Sequence, residues 1–395
     1  MTRVPKPKTT ASLTLAVLTL MGLDWCQARD FRVCGFHGAD IQRSIDSAAA
    51  AGGGRVVVAP GEYRSGSLRL RSRVELHLEK GARVVGGSRS DEYYSFPSEI
   101  CAIRPENSSK VFVFAWEESD IAITGEGVID GMGLEFFDRS DLSFGGGRFF
   151  AKPPCERPRM LQLVRCDGVR IQGVTFLNSP CWTMLLRQCS NVCLEDVVVD
   201  ADQRIINSDG LDIDGCKNVR VVNSRFKTGD DCLIVRAIRE PGNESRIVCE
   251  DVVVSNCTFD SACQVVRMGC PSDDVIRNVR FFCIRGRGYN GINFDYPKKY
   301  LDRGDGGRMD ISDVVFDGFD GEFSGCALRI VVENGVKIRR VSDILFRGFN
   351  VRTALPVTIS GQDGSWLENV HCEGCVVNGK PLKDGNLQVE EQQVK

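Results

Sequence analysis

The sequence predicts an all-β solenoid, a parallel β-helix closed at its N-terminal end by one helix. Two observations predict it. A short unit recurs along the chain, and apolar residues within each unit alternate as they do in a strand. The clearest copies are "CDGVRIQGVTF" (166–176), "CSNVCLEDVVV" (189–199), "CKNVRVVNSRF" (216–226) and "CEDVVVSNCTF" (249–259). Their leading cysteines are spaced by 23, 27 and 33 residues. A period of roughly 20–50 residues with one strand per unit marks stacked repeats, because no unit buries its apolar face alone. The uneven period suits a coil with variable loops better than a propeller, whose blades need about four strands each.

The elements follow in order. Residues 1–28 carry Arg3, Lys6 and Lys8, then an apolar run from Ala11 to Leu23, then a small-residue site ending at Ala28. That pattern predicts a secretory signal and a secreted or periplasmic protein. The segment "GADIQRSIDSAAAAGGG" (38–54) has the spacing of an amphipathic helix and is expected to cap the open end of the coil. A single β domain is expected over 29–382, followed by a polar tail at 383–395. A net charge of −3 offers no basic face for nucleic acid, and no segment after the signal is apolar enough to span a membrane. A monomer is expected. The eighteen cysteines fit either disulfides or stacked thiols, and they lack a zinc-type spacing.

The stretch 206–232 concentrates acidic residues, at Asp209, Asp212, Asp214, Asp230 and Asp231. Asp209 and Asp230 are 21 residues apart, close to one rung. Successive rungs of a coil lie about 4.8 Å apart, so these two are expected to stack, with Asp231 beside them. Clustered carboxylates repel, which raises one pKa and leaves another group ionised: the requirement for general acid–base chemistry. The bland alternative is that Asp before Gly serves turns. Asp212 and Asp214 alternate with Leu211 and Ile213 and are expected to face solvent or a turn.

The chain resembles glycoside hydrolase family 28, the polygalacturonases and their relatives. The resemblance rests on "GGGRVVVAPGEYRSGSLRLRSRVELHLEKGARVVGG" (52–87), "GEGVIDGMG" (125–133), "RPRMLQLVRCDGVRIQGVTFLNSPCWT" (157–183), "NSDGLDIDGCKNV" and "TGDDC". It implies a right-handed parallel β-helix and hydrolysis of O-glycosidic bonds with inversion, without metal or cofactor, on a poly- or oligosaccharide. It implies Asp230 as general acid, Asp209 and Asp231 as activators of water, Asn207 as their support, and Arg236 as a cation near the cleft.

Two departures stand out. The family's Gly-His-Gly motif is replaced by "SACQVVRMGC" (261–270), with Cys263 or Gln264 at the histidine position. Its Arg-Ile-Lys motif is replaced by "YNGINFDYP" (289–297), with Asn293 and Asp295 at the charged positions. Arg and Lys usually grip a carboxylate, so ordinary polygalacturonate is an unexpected substrate. A neutral sugar or an unusual linkage in a pectin-like polysaccharide is expected instead, with Gln264 and Asn293 as contacts. A non-catalytic carbohydrate-binding coil and a calcium-dependent lyase are the alternatives. Trp182, Tyr289 and Tyr296 are available for stacking on sugars, and the polar stretch 287–310 is read as a wall at one end of the cleft.

Overall fold

A computed structural model describes residues 29–391, apart from 104, 241–244, 270–272, 301–306, 362–364 and 383–389. The signal-like segment and most of the polar tail lie outside the described residues. Within them the chain coils into three parallel sheets that run along one axis. The first begins at Asp30–Arg32 and Gly54–Val58 and ends at Leu367–Glu373. The second runs from Gly61–Ser65 to Cys375–Val377. The third runs from Leu68–Arg69 and Lys110–Trp116 to Thr358–Gly361, where Glu390–Glu391 of the tail adds a short parallel strand. This is the expected parallel β-helix.

The register explains the sequence repeat. Ile171, Leu194, Val221, Val254, Phe281 and Phe316 are successive partners in the first sheet and all point into the core. Toward the C-terminal end this column becomes aromatic: Phe281 stacks on Phe316 at 4.5 Å, and Phe316 on Phe346 at 5.3 Å. Like side chains on adjacent rungs meet face to face, so each rung buries the apolar surface its neighbour presents.

Two further columns hold the corners. Asn191, Asn218 and Asp251 each adopt positive φ at one bend, a backbone state that Asn and Asp tolerate better than most residues. Their side chains bond from rung to rung: Asn218 Nδ2 donates to Asn191 Oδ1 at 2.7 Å, and Asn191 Nδ2 to Asp167 Oδ1 at 2.7 Å. The turn residues of the repeat are therefore a polar ladder. The cysteines 166, 189, 216 and 249 form a buried column of thiols beside it. Cys189 and Cys216 donate to the carbonyls of Leu163 and Leu186, one rung below, at 3.5 and 3.3 Å. Of the two readings the cysteine spacing allows, this column is the stacked-thiol one.

The capping helix spans Gly38–Ala50, shorter than the expected 38–54 because Gly54 already opens the first-sheet strand. Ile41, Ile45 and Ala48 close the core. Residues 93–103 lie on the outer face of the third sheet, where Tyr94 stacks on Phe114 at 5.0 Å and Phe96 meets Trp116 edge-on at 5.6 Å. This arm covers the first rungs of that face and leaves the later ones for the site.

Replacing Asn191 by Ala removes both ladder bonds and places a Cβ-bearing non-Asx residue in the left-handed region. Denaturant unfolding is expected to show a loss of about 1–2 kcal/mol. Asn191→Gly, which keeps the backbone freedom, is expected to lose less.

Candidate active site

The acidic stretch lies at the entry to two consecutive strands of the third sheet, Leu211–Asp214 and Leu233–Arg236. Their register pairs Leu211 with Leu233, a step of 22 residues. Thr183 donates its N–H to the Asp209 carbonyl at 2.7 Å, and Gly210 donates to the Asp231 carbonyl at 2.8 Å. Asp209 therefore stacks under Asp231, and the expected pairing of Asp209 with Asp230 is off by one residue. Asp230 sits beside this stack rather than in it.

Local bonds fix Asp230. Its carboxylate accepts the N–H of Asn207 at 3.2 Å and of Asp231 at 3.0 Å. Asn207 reaches that position with φ +61°, and its side-chain oxygen accepts from Arg157 at 3.2 Å. Asn207 thus supports the cluster through its backbone. Ser208 joins the two loops: its hydroxyl donates to the Ile205 carbonyl at 2.8 Å and accepts the Gly229 N–H at 2.9 Å. Gly229 has no substitute here, because a Cβ would stand 2.1 Å from the Ile205 oxygen.

Asp212 and Asp214 depart from the expectation of solvent-facing or turn residues. Both are fully buried. They do point away from the coil's core, as the alternation requires, but the outer face of this strand is itself covered. Asp212 lies 3.4 Å from Arg236 Nε, and the Arg236 guanidinium sits 4.6 Å from the centre of the Trp182 ring. Asp214 pairs with buried Arg187 and accepts the Ile238 N–H at 2.8 Å. Asp212 belongs to the acidic cluster, while Asp214 belongs to a structural ion pair.

The next rungs carry the departures. Cys263, not Gln264, faces the aspartates: one ligand-type atom each of Asp230, Asp231 and Cys263 lies within 4.8 Å of the others. Gln264 is also at the site's edge, and its carbonyl accepts the Cys232 N–H at 2.9 Å. Asn293 is 1 % exposed and lies between Arg267 and Arg329 in the sheet register. Arg267 Nη1 is 3.5 Å from Asp231, and Arg329 Nη2 is 3.7 Å from Asp295. Cations thus flank the position where the family motif is lost, one rung to either side. Only the register reveals this.

The site has a buried floor and a partly exposed rim. Asp209, Asp212 and Asp231 form the floor; Asp230, Cys263, Gln264 and Arg267 form the rim. Asp209 Oδ1, both Asp212 oxygens, Asp231 Oδ1 and the amide oxygens of Gln264 and Asn293 have no protein hydrogen-bond partner among the described residues. Buried polar atoms are nearly always satisfied, so these oxygens are positions for water or another polar partner. Burial drives the electrostatics. It pushes Asp209 well above the usual carboxylate range, helped by the charges of Asp230, Asp212 and Asp231. It raises Asp212 to about 8 against the pull of Arg236, and Asp231 to about 7 with the charge of Asp230 adding to it.

The aromatic and wall expectations change. Tyr296 is fully buried, its hydroxyl bonded to the Met268 carbonyl at 3.0 Å, so it cannot stack on a sugar. Trp182 is engaged by Arg236. Tyr289 remains exposed, with the Arg148 guanidinium 4.2 Å from its ring centre. Arg148 also reaches the Ala262 carbonyl. The wall beside the site is therefore formed by the loop around 142–150. The stretch 287–310 opens with strand, because Val275–Tyr296 is one continuous run. A surface depression of about 570 Å³, lined by Arg287, Glu322 and Arg352 among others, lies on the second sheet and is separate from this site.

Protons held by the floor tie stability to pH. A carboxyl whose folded pKa exceeds its unfolded value stabilises the fold below the unfolded value, about 4, and that contribution fades as pH rises through the folded value. The melting temperature is expected to fall between pH 5 and pH 8 as Asp231 and Asp212 ionise, through about 7 and about 8. Asp212→Asn, which cannot ionise, is expected to flatten this slope and to melt higher than the parent at pH 8 in a thermal scan.

The family model described as "Glycosyl hydrolases family 28" matches residues 89–256. That span contains Asn207, Asp209, Asp230, Asp231 and Arg236, and stops just before Cys263. A probable polygalacturonase of Vitis vinifera is 26% identical over 207 residues, covering 50% of this chain and 40% of that protein. Exopolygalacturonase B of Aspergillus niger is 28% identical over 193 residues, covering 46% and 41%. The chain thus spans about two fifths of the length of the curated relatives it matches. The solved structure of an exopolygalacturonase from Thermotoga maritima superposes with a TM-score of 0.63 at 18% identity, covering 89% of this chain and 92% of that one. That likeness shows the fold, a right-handed parallel β-helix. The acidic motifs, their register and the family match fall on one stretch of chain, so residues 89–256 are similar to glycosyl hydrolases family 28 within a right-handed parallel β-helix.

Proposed function

We propose that this chain is an O-glycosidase that cleaves a pectin-like or other complex polysaccharide by single displacement with inversion. The observation that carries the reading is the convergence of Asp209, Asp230 and Asp231 in one cluster on the outer face of the third sheet. Inverting hydrolysis needs one carboxylic acid to protonate the leaving oxygen and one carboxylate to activate water. Asp230, on the rim, is the group placed to reach the glycosidic oxygen. Asp209 and Asp231, stacked beneath, are assigned to the attacking water. Because burial favours their protonated forms, the base becomes available only as the pair loses a proton.

The substrate reading extends the loss of the Arg-Ile-Lys motif. Arg236, Arg267 and Arg329 each already face a carboxylate, Asp212, Asp231 and Asp295, at 3.4–3.7 Å. Their charge is largely met within the protein, which disfavours a strongly anionic sugar at the reacting position. The amide oxygens of Gln264 and Asn293 are acceptors that suit sugar hydroxyls, and a buried acceptor left unmatched selects against analogues lacking the donor. Export belongs to the same reading, on the basis of the signal-like pattern in residues 1–28.

A panel of pectic and neutral glycans, read by reducing-end release, tests this. Cleavage is expected, with unsubstituted polygalacturonate among the poorer substrates. Asp230→Asn is expected to lower kcat by about 10²–10⁴-fold. If Asp231 must ionise to act as base, kcat/KM declines as pH falls through about 7. Saturable glycan binding with no turnover on any substrate would instead select the non-catalytic binding reading.

A further inference from the structure

We infer that Asp230, Asp231 and Cys263 form a reversible site for a thiophilic divalent cation, for which Zn²⁺ is the best fit. The three side chains come from adjacent rungs and each offers a ligand atom within 4.8 Å of the others. A second observation points to a ligand. Asp231 is 1 % exposed, yet its Oδ1 has no protein hydrogen-bond partner among the described residues. The nearby Arg267 guanidinium lies against the other oxygen, Oδ2, at 3.5 Å, so Oδ1 remains for an ion.

The backbone holds the three ligands in fixed relation. The Ser261 hydroxyl donates to the Asp230 carbonyl at 2.7 Å and accepts the Cys263 N–H at 2.8 Å. That one side chain ties the thiol-bearing rung to the aspartate-bearing rung. Zn²⁺ bonds of about 2.0–2.3 Å put tetrahedral ligand atoms about 3.3–3.7 Å apart. Rotation of the Cys263 side chain, with Asp230 giving up one of its bonds to the Asn207 and Asp231 N–H groups, closes the set without moving the strands.

The chemistry selects the metal. Ca²⁺ and Mg²⁺ need six or more oxygens and have little use for sulfur. A thiolate with two carboxylates suits Zn²⁺, and three protein ligands leave its fourth position for water. Binding converts the Cys263 thiol to thiolate and releases that proton to solvent. Two carboxylates and a thiolate within 4.8 Å of one another repel, and a dication removes that penalty. The thiol comes from the segment 261–270, where the chain departs from the family's Gly-His-Gly motif. Because the ion takes both Asp230 and Asp231, it also blocks hydrolysis; this last step alone rests on the proposed function.

Co²⁺ titration of the reduced full chain tests the site through the thiolate-to-cobalt charge-transfer band in the near ultraviolet. A saturable band at one equivalent, displaced by Zn²⁺, is expected. Cys263→Ser is expected to abolish the band and to weaken Zn²⁺ binding at least about tenfold, with Asp230→Asn weakening it as well. No saturable band in the parent, or a band and Zn²⁺ affinity unchanged in Cys263→Ser, would overturn the site. In the glycan assay Zn²⁺ is expected to inhibit over the same concentration range in which it binds. Binding without inhibition overturns the competition for Asp230 and Asp231. A parent that binds the metal but cleaves no glycan leaves the metal site standing and sinks the hydrolase reading.

Discussion

Vertical register is the constraint on which the rest of this structure depends. Hydrogen bonds between adjacent rungs fix each residue above its partner, and the core columns, corner ladders and site all inherit that placement. A slip of one residue would turn every inward side chain outward. The chain opposes such a slip at several points at once. The asparagine ladder bonds side chain to side chain between rungs, the thiols bond down to the carbonyls below them, and the phenylalanines stack in column. None of these contacts is strong alone. Each is satisfied only in one register, and together they specify it.

The acidic cluster exists because the register brings it about. Asp209 and Asp231 would repel in solution. In the coil, Gly210 bonds to the Asp231 carbonyl and the Ser208 hydroxyl spans the two loops, so the carboxyls are held together by a backbone with no freedom to separate them. The cost appears as raised pKa values and as unmatched buried oxygens. Arg236 and Arg267 relieve part of it. Each guanidinium stands 3.4–3.5 Å from its aspartate and offsets burial only in part. Burial holds Asp231 at about 7 and Asp212 at about 8, and a closer guanidinium on either would draw it back toward the ordinary carboxylate range.

Much of this was legible in the sequence, and the parts that were not share a cause. The repeat, the coil, the capping helix and the aspartates 209, 230 and 231 could all be read from spacing and from motifs. Asp212 could not. Alternation correctly turns it away from the core, but sequence gives no sign that Trp182 and Arg236 close over it. The one-residue difference between a 21-residue and a 22-residue step decides whether Asp230 or Asp231 stands over Asp209, and motif spacing does not carry that resolution. Motif spacing does not separate Cys263 from Gln264 for a related reason: a register irregularity between Ser261 and Gln264 re-aims the side chains there.

That irregularity coincides with a division in the chain. Residues 89–256 match the family model and hold Asp209, Asp230 and Asp231; the rungs beyond carry Cys263, Gln264, Asn293 and Asp295. A solenoid permits such a division, since each rung contacts only its neighbours and a changed rung leaves those two away in place. The acidic cluster and residues 263, 264 and 293 occupy successive rungs of one face, so the second set can change while the first is kept. Asp231 is the limit on that freedom. It belongs to the kept set, yet its carboxyl faces Arg267 and lies within 4.8 Å of the Cys263 thiol. The later rungs therefore meet the acidic cluster at Asp231, through Arg267, and at Asp230, through Cys263.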